Sequence, residues 1–555
     1  MAEFDEIFDW VVVGSGAGSM ASALVMRKAG KSVVVLEKTP FIGGTTAKSG
    51  GVMWIPNNRF MPKGEDSFEA AITYLDTLCG DSPDTPGTSH EKRLAYVHES
   101  PKMVDFLVAE GVELERASAY WPDYYDDLPG GVKTSRTVTA KPFNKKELGV
   151  WMGKLRQGFV DQPARLEDGM QLAYLRKSWK VKKIFARIAV AVVWAKLTAR
   201  KFVSAGAALQ GRMMKAALAA GADLRVDSGV SEMILENGAV VGVVTVKDGQ
   251  PWRVGARLGV LVNAGGFAQN QAMRDTYMPG TRTGWSNTPE GDTGEMIVEL
   301  ERVGGVLAQM DQMVGYQTTP IPTIDTDFVK PGGQSLTARP GAILVDQSGV
   351  RYMNEGGSYE LYCETMRKRK GGVPSWAIFD HRYACDYQVA GAWITKKRPE
   401  GWDAAGYIKE GDTIAQLAAR INIEPAVLKA SIDRWNGFVD AGVDGDFGRG
   451  AREYDKWLGD PYYGANPTLG RIDRGPYYAV EMVAGDVSTY GGVLIDASAR
   501  VLNAEGAPIG GLYACGVTTA SIMGGVYPGA GASVGPSMCF GYIAAKHAAG
   551  VGNQM

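Results

Sequence analysis

The stretch Val11-Val12-Val13-Gly14-Ser15-Gly16-Ala17-Gly18-Ser19 decides the fold. A short apolar run gives way to tight glycines, and the small residues after them open a helix. Such a helix points its first backbone N–H groups and the positive end of its dipole at a pyrophosphate. Ser32 to Leu36 reads as a second strand. Glu37 closes it about twenty residues past the glycines, where a carboxylate accepts hydrogen bonds from an adenosine ribose. Ser19 stands where a third glycine is usual, so the closest helix–strand approach has to accommodate a hydroxyl. Gly14, Ser15, Gly16, Ala17, Gly18, Glu37 and Lys38 are thereby assigned to a dinucleotide.

Directly after the acid comes Gly43-Gly44-Thr45-Thr46-Ala47-Lys48-Ser49-Gly50-Gly51. A nicotinamide enzyme has no use for a second loop of this kind. A flavin does, because its ribityl–isoalloxazine arm lies along backbone lined with small residues and hydroxyls. The run predicts non-covalently bound FAD held by Gly44, Thr45, Thr46, Ser49, Gly50 and Gly51. Leu258 to Ala264 reads as a buried strand ending in Gly265-Gly266, and an open α/β sheet places ligands at such strand ends. Ala264, Gly265, Gly516, Ser533 and Val534 join the cofactor set on that ground.

At 555 residues the chain is long for one domain and comfortable for two. Hydrophobic residues make up 45% and charged residues 22%, enough for a large core, and a net charge of −2 argues against nucleic acid as a partner. The cysteines (Cys79, Cys363, Cys385, Cys515, Cys539) are odd in number and scattered, which reads as reduced thiols in a cytoplasmic protein. The histidines (His90, His98, His381, His547) form no metal-ligand cluster, so no metal is expected. The acidic start runs straight into the first strand and is no signal peptide.

Helices are expected over Ser67 to Leu78 and Val97 to Glu110. Leu224 to Val226 reads as a strand, and Val230 to Val246 as a hairpin turning at Asn237-Gly238. Around residue 285 the texture becomes aromatic-rich mixed α/β, with a strand over Ile343 to Asp346 and a helix from Glu424 to Ala441. From Asp486 the glycine-rich style returns, with a strand over Gly511 to Ala514 running into Cys515-Gly516. A closing helix, Pro536 to Ala549, has proline at its first position, where a missing N–H costs nothing. The expected class is α/β: a Rossmann-like FAD-binding domain built from 1–285 and 486–555, with an inserted α+β catalytic domain over 286–485 that caps the substrate.

Residues 169–222 contain no acid and many bases, among them Arg176, Lys177, Lys180, Lys182, Lys183, Arg187, Lys196, Arg200 and Lys201. Val181, Ile184, Phe185, Ile188, Ala189, Val192 and Val193 recur at helical spacing. Arg176, Lys180, Lys183 and Arg187 form a basic stripe beside them, with Trp179 and Trp194 toward the ends. An ordinary surface helix packed on the core is one reading. An interfacial helix lying on an anionic membrane through 174–203, at the inner face of the cell membrane, is the other. The uninterrupted apolar run Ile188 to Ala195 is far short of the roughly 20 residues that a span requires.

The segment Gly524-Gly525-Val526-Tyr527-Pro528-Gly529-Ala530-Gly531-Ala532-Ser533-Val534-Gly535 stands before the closing helix. Its free backbone N–H groups and the Tyr527 phenol suit an oxyanion. Two donors on one oxygen would stabilise an enolate, as removal of a proton beside a ketone requires. Together with Trp121-Pro122-Asp123-Tyr124-Tyr125 and Asn354-Glu355…Tyr359, and with the two FAD motifs, the chain resembles the 3-ketosteroid Δ1-dehydrogenases of the succinate dehydrogenase/fumarate reductase flavoprotein superfamily over nearly its whole length.

That resemblance implies that Tyr527 and the Gly531 N–H hold the C3 carbonyl oxygen. Tyr359 would take the C2 proton, Tyr124 would support Tyr359, and FAD N5 would receive hydride from C1 of a 3-ketosteroid of the androst-4-ene-3,17-dione or cholest-4-en-3-one type. Tyr120 or Tyr125 is the alternative for the Tyr124 role. Two departures stand out. Tyr490 precedes Gly491-Gly492 where the family often has lysine, and the 169–222 stretch is longer and more basic. A free tyrosine, with a pKa near 10, is a poor base at neutral pH unless donors stabilise its phenolate. Electrons must leave to oxygen, a quinone or another carrier, since the sequence holds no second redox motif. Rival readings are a 3-ketosteroid Δ4-(5α)-dehydrogenase, a fumarate-reductase-like flavoprotein, and a lipid-binding flavoprotein without turnover.

Overall fold

The computed structural model describes residues 3–117, 120–158, 160–322, 330 and 332–552. Burial sets in within the first strand, Glu6–Val13, where Trp10, Val11 and Val12 are fully enclosed. This strand pairs in parallel with Val33–Leu36 on one side and Gln250–Val262 on the other. Asp223–Arg225 lies outside Val33–Leu36, and Pro508–Ala514 lies parallel to Gln250–Val262. The near-continuous apolar strands are what a sheet covered on both faces demands. Glu232–Glu236 and Ala239–Lys247 form the expected hairpin, with Asn237 (φ 53°) and Gly238 (φ 79°) supplying the left-handed turn. Arg500–Leu502 completes an eight-stranded sheet.

Register decides where ligands go. Val13 stands opposite both Leu36 and Val262, and Val262 opposite Ala514, so four strands end level. Helix Ala17–Lys28 leaves that edge and crosses the C-terminal helix Val534–Ala549. At the crossing a Cβ on Gly18 would lie 2.4 Å from the Ser537 carbonyl oxygen, and one on Gly541 would lie 2.3 Å from the Gly18 carbonyl oxygen. The tightest helix contact therefore falls at Gly18. Ser19 is tolerated because its hydroxyl hydrogen-bonds the Asn263 side-chain amide at 3.1 Å.

Three boundaries differ most from expectation, the first being the strand expected over Leu258 to Ala264, which runs over Gln250–Val262. The helix expected from Val97 begins at His90, where the Ser89 hydroxyl accepts from the Lys92 N–H (3.3 Å), and it runs through Pro101 to Ala109. The charged run His90-Glu91-Lys92-Arg93 hides the apolar period of its first turns. The closing helix starts at Val534, so Pro536 is its third residue; its missing N–H still falls in the first turn, where no carbonyl waits for it.

Residues 286–485 carry a separate four-stranded antiparallel sheet, in the order Ala342–Val345, Ser375–Asp380, Tyr477–Met482, Ile408–Gly411. Helix Pro425–Ala441 packs on one face through Leu428, Ile432 and Trp435. The two ends of the segment lie side by side: Ser286 bridges Asp486, and the Asn287 N–H donates to the Asp486 carbonyl at 2.8 Å. Beneath this sheet Arg351 and Arg449 hold the buried carboxylates of Glu355 and Asp444.

Trp179–Leu197 forms a single helix, but its orientation corrects the expected apolar face. Val181, Ile188 and Ala195 turn inward and are buried, with Ile184 and Val192 half-buried beside them. Phe185, Ala189 and Val193, expected on the same face, point to solvent. The outer side is itself apolar: Trp179 is 76% exposed, Val190 69%, Trp194 60% and Leu197 77%. Among the described residues no helix is long and apolar enough to cross a membrane.

Candidate functional site

One cavity of about 1090 Å³ opens at the level strand ends and extends into the segment 286–485. It is larger than an ordinary small-molecule pocket. Gly14, Ser15, Gly16, Glu37, Lys38, Gly44, Thr45, Thr46, Ser49, Gly50, Gly51, Ala264, Gly265, Ser533 and Val534 line it. Ala17, Gly18 and Gly516 do not. Gly18 is consumed by the helix crossing. Gly516 sits behind the wall, where a Cβ would meet the Asn263 side chain at 2.5 Å. The Ala17 N–H is directed to the Thr46 hydroxyl at 3.3 Å.

The donor set fits FAD. Helices Ala17–Lys28 and Val534–Ala549 both begin on the wall or directly behind it, and neither N-cap residue, Gly16 or Ser533, caps its helix with a side chain. The Gly18 and Val534 N–H groups meet no acceptor among the described residues, whereas the Gly535 and Ser537 N–H groups donate to the Gly531 and Ser533 carbonyls. Glu37 accepts from the Ser15 hydroxyl (2.5 Å) and from the Thr39 N–H (2.9 Å) and hydroxyl (2.8 Å), so its carboxylate is oriented at the strand end. The sequence reading missed Asp292, in Gly291-Asp292-Thr293-Gly294. It is buried on the wall with Oδ1 taking the Gly266 N–H (2.5 Å) and Oδ2 without a partner. Burial pushes its carboxyl up to about 6, against the lowering effect of the Gly266 N–H. Its flanking glycines were the available signal.

At the other end of the cavity the wall is tyrosine. Tyr359 is the first residue of helix Tyr359–Lys368, and the Tyr124 ring meets it edge-on at 5.4 Å. Tyr527 lies 5.3 Å from Tyr359 and 5.7 Å from Tyr124, between ring centroids. Tyr454 stacks on Tyr124 at 4.1 Å, and Tyr316 meets Tyr359 at 5.8 Å. All five line the cavity, whereas Tyr120 and Tyr125 do not. Tyr120 is on the surface, bonded to Glu453 (2.8 Å), and Tyr125 is buried away from the wall.

The loop that carries Tyr527 is fixed from several sides. The Tyr490 hydroxyl donates to the Val526 carbonyl (3.0 Å), and the Tyr74 hydroxyl (2.7 Å) and the Tyr124 N–H (3.0 Å) donate to the Pro528 carbonyl. Gly531 has φ +95° and so sits where side chains are strained. A Cβ there would come within 2.4 Å of the Val52 carbonyl. Its N–H meets no acceptor among the described residues, and it lies on the cavity wall beside Tyr527.

Burial pushes the phenols of Tyr124 and Tyr359 well above the ordinary tyrosine range, and the neighbouring tyrosine hydroxyls add to the rise. Both are neutral at rest. The cavity thus offers an oxyanion cradle, neutral phenols in mutual contact, and apolar walls at Trp121, Leu166, Met170, Trp457 and Leu458. Such a wall takes a flat apolar molecule with one polar end. Among the described residues no group of acids, histidines or cysteines is arranged to hold a metal ion.

The FAD binding domain family matches residues 9–534. A curated 3-oxosteroid 1-dehydrogenase of Mycobacterium tuberculosis is 35% identical, with 98% of each chain covered. A 4-oxocyclohexanecarboxylate 2-dehydrogenase of Sinomonas cyclohexanicum is 33% identical, covering 98% of this chain and 93% of its own. Among solved structures, the 3-ketosteroid Δ1-dehydrogenase of Sterolibacterium denitrificans, in complex with 1,4-androstadiene-3,17-dione, superposes with a TM-score of 0.91 at 32% identity, covering 99% of this chain and 100% of its own.

Proposed function

We propose that this chain, which belongs to the FAD-binding-domain family and within it to the 3-ketosteroid Δ1-dehydrogenases, removes hydrogen from C1 and C2 of a 3-ketosteroid A ring. The observation that carries the reading is the meeting of Tyr359, Tyr124, Tyr527 and Gly531 on one wall of the FAD cavity. Gly14 to Gly16, Glu37, Gly44 to Thr46 and the start of the C-terminal helix would hold the cofactor. Bound FAD supplies the acceptor for the hydride that leaves C1.

The Tyr527 hydroxyl and the Gly531 N–H bind the C3 carbonyl oxygen and stabilise the charge that develops there. Tyr359 receives the C2 proton, and Tyr124 holds it in place. Because the Tyr359 phenol is neutral at rest, its own proton has to move on as the substrate's arrives. The apolar walls exclude water from the enolate, which strengthens both donors. None of the four histidines lines the cavity, which disfavours a dicarboxylate clamp of the fumarate-reductase kind.

Androst-4-ene-3,17-dione and cholest-4-en-3-one are the expected substrates, with an external carrier such as a quinone reoxidising the flavin. Anaerobic titration with each should bleach the flavin spectrum, and failure of both would overturn the assignment. A 5α-saturated 3-ketosteroid separates this chemistry from 4,5-desaturation, and 4-oxocyclohexanecarboxylate separates it from that of the Sinomonas relative.

The same reading extends to location. The outer side of helix Trp179–Leu197 presents Trp179, Phe185, Val190, Val193, Trp194 and Leu197 among exposed Lys180, Lys182, Lys183 and Lys196, with no acid on the helix. An anionic bilayer surface matches both features, each base contributing about 1 kcal/mol. Arg187 ties this helix to Asp168 (2.5 Å), next to Leu166 and Met170 on the cavity wall. A docked helix would therefore hold the cavity close to the membrane in which a sterol dissolves.

A further inference from the structure

We propose that Ser533 is a positioning residue for the oxyanion cradle: its hydroxyl donates to the Tyr527 oxygen and so turns the Tyr527 hydrogen toward the ketone. The inference deepens the dehydrogenase reading of the same cavity and rests on it. The hydroxyls of Tyr527 and Ser533 lie 3.1 Å apart, and both residues line the cavity. Tyr527 is 4% exposed. Tyr359 and Tyr124 pack against its ring at 5.3 and 5.7 Å between centroids, whereas Ser533 is bonded to its hydroxyl. Tyr359, the other polar neighbour of that hydroxyl, is committed to C2 of the substrate in the same reading.

A serine just before the first turn of a helix ordinarily accepts a hydrogen bond from the second or third helical N–H. Ser533 does not. It precedes helix Val534–Ala549 with φ −106° and ψ −44°, outside the extended conformation that capping needs, and its side chain accepts from no first-turn amide. The turn before it explains the departure. The Ala532 N–H donates to the Gly529 carbonyl (3.1 Å) and the Gly535 N–H to the Gly531 carbonyl (2.9 Å), so the chain enters the helix already coiled. The Ser533 hydroxyl is directed instead to the phenol six residues back. Tyr527 is held to meet it, because the Tyr490 hydroxyl anchors the Val526 carbonyl (3.0 Å) and the Tyr74 hydroxyl the Pro528 carbonyl (2.7 Å).

A count of hydrogens fixes the direction of this bond. A ketone oxygen only accepts, and a phenol has one hydrogen to give. Once a C3 carbonyl enters the cradle, the Tyr527 hydrogen goes to it. The bond between Tyr527 and Ser533 then persists only with Ser533 as donor. A donor on the phenol oxygen polarises its O–H and strengthens the bond that the phenol makes in turn. The gain is greatest as negative charge develops on the C3 oxygen, which the Gly531 N–H meets as second donor. Ser533 touches no reacting atom, transfers no proton and acts through Tyr527.

The test uses the FAD-loaded enzyme with 1,4-androstadiene-3,17-dione, which already carries the 1,2 double bond and stays unreacted, labelled with carbon-13 at C3. The infrared stretch of the bound C3 carbonyl reports the strength of its hydrogen bonds. Wild type should hold it below its frequency in water, Ser533→Ala should return it part of the way, and Tyr527→Phe further. Added to Tyr527→Phe, Ser533→Ala should move it no more, because the phenol through which it acts is gone. In anaerobic stopped-flow mixing with androst-4-ene-3,17-dione, Ser533→Ala should slow the limiting rate of flavin reduction about 3- to 10-fold. The half-saturating substrate concentration and the FAD spectrum should stay as in wild type, and Ser533→Thr, which keeps the hydroxyl, should recover the rate. An unmoved carbonyl stretch in Ser533→Ala overturns the proposal. So do rate losses that multiply in the double variant, which would place the action of Ser533 on the cofactor instead. Where Ser533→Ala fails to hold FAD, Ser533→Cys, whose thiol is a weak donor, is judged by the same carbonyl shift. A wild-type enzyme whose flavin no ketosteroid reduces sinks the dehydrogenase reading itself, a distinguishable outcome.

Discussion

At the scale of single residues the site works by pairing donors with an apolar wall. Tyr527→Phe removes one of the two donors to the C3 oxygen while leaving the ring that packs on Tyr359 and Tyr124. The flavin-reduction rate should fall about 10²- to 10³-fold with the FAD absorption spectrum unchanged, as stopped-flow mixing would show. Tyr359→Phe should retain FAD and abolish reduction, and undiminished turnover would remove Tyr359 from the base role. Much of this wall was legible beforehand, because Tyr124, Tyr359 and Tyr527 each sit in a stretch with a recognisable pattern. Tyr454 was not. Arg452-Glu453-Tyr454-Asp455 has no spacing that marks it, and its stack on Tyr124 is created only when the segments around 121–125 and 452–458 meet. Contacts between segments that distant in sequence leave no local signature.

At the scale of elements, hydrophobic period places an apolar side chain on a helix but does not say which side faces in. Helix Trp179–Leu197 carries apolar side chains on its outer as well as its inner side, between its bases, so its period does not tell the two sides apart. The strands at the cofactor end were legible for the opposite reason: Val11-Val12-Val13 and Ser32 to Leu36 are short, apolar on both faces, and ended by glycine or acid. The membrane reading makes the outer side testable. Val190→Glu combined with Trp194→Glu should greatly reduce co-sedimentation with vesicles containing anionic lipid, yet leave kcat/KM for dispersed androst-4-ene-3,17-dione unchanged. Equal binding by wild type and variant would remove the membrane from the account. The seam between strand Val52–Trp54 and the Tyr527–Gly531 loop is a second element-level case. Gly531→Ala combines a positive φ with a 2.4 Å approach to the Val52 carbonyl, so thermal unfolding should show a loss of about 1–3 kcal/mol.

At the scale of the whole molecule the cavity is a joint product of the eight-stranded sheet and of residues 286–485, so anything that loosens the second part exposes the first. Its polar anchor is Glu355, fully buried and held by Arg351 (2.7 Å) and Arg449 (3.3 Å). Burial alone would raise this carboxyl, but the two guanidiniums and the Leu344 N–H (3.0 Å) more than offset it and hold it below the ordinary 4.5. A group depressed in the folded state stabilises the protein above its unfolded pKa, and that contribution is lost as pH falls through the folded value. Thermal unfolding temperature should therefore drop steeply as pH falls below about 4.5. Glu355→Gln should flatten that acid limb. It should also lower stability at pH 7 by about 3–5 kcal/mol, because the buried Arg449 loses its counter-charge and Arg351 keeps only Asp444. Bound FAD adds to stability by mass action at every pH, about 2.7 kcal/mol at a hundredfold excess over Kd. Both proteins should therefore be compared at one saturating FAD concentration. Parallel acid limbs under those conditions would show that the pH dependence arises elsewhere.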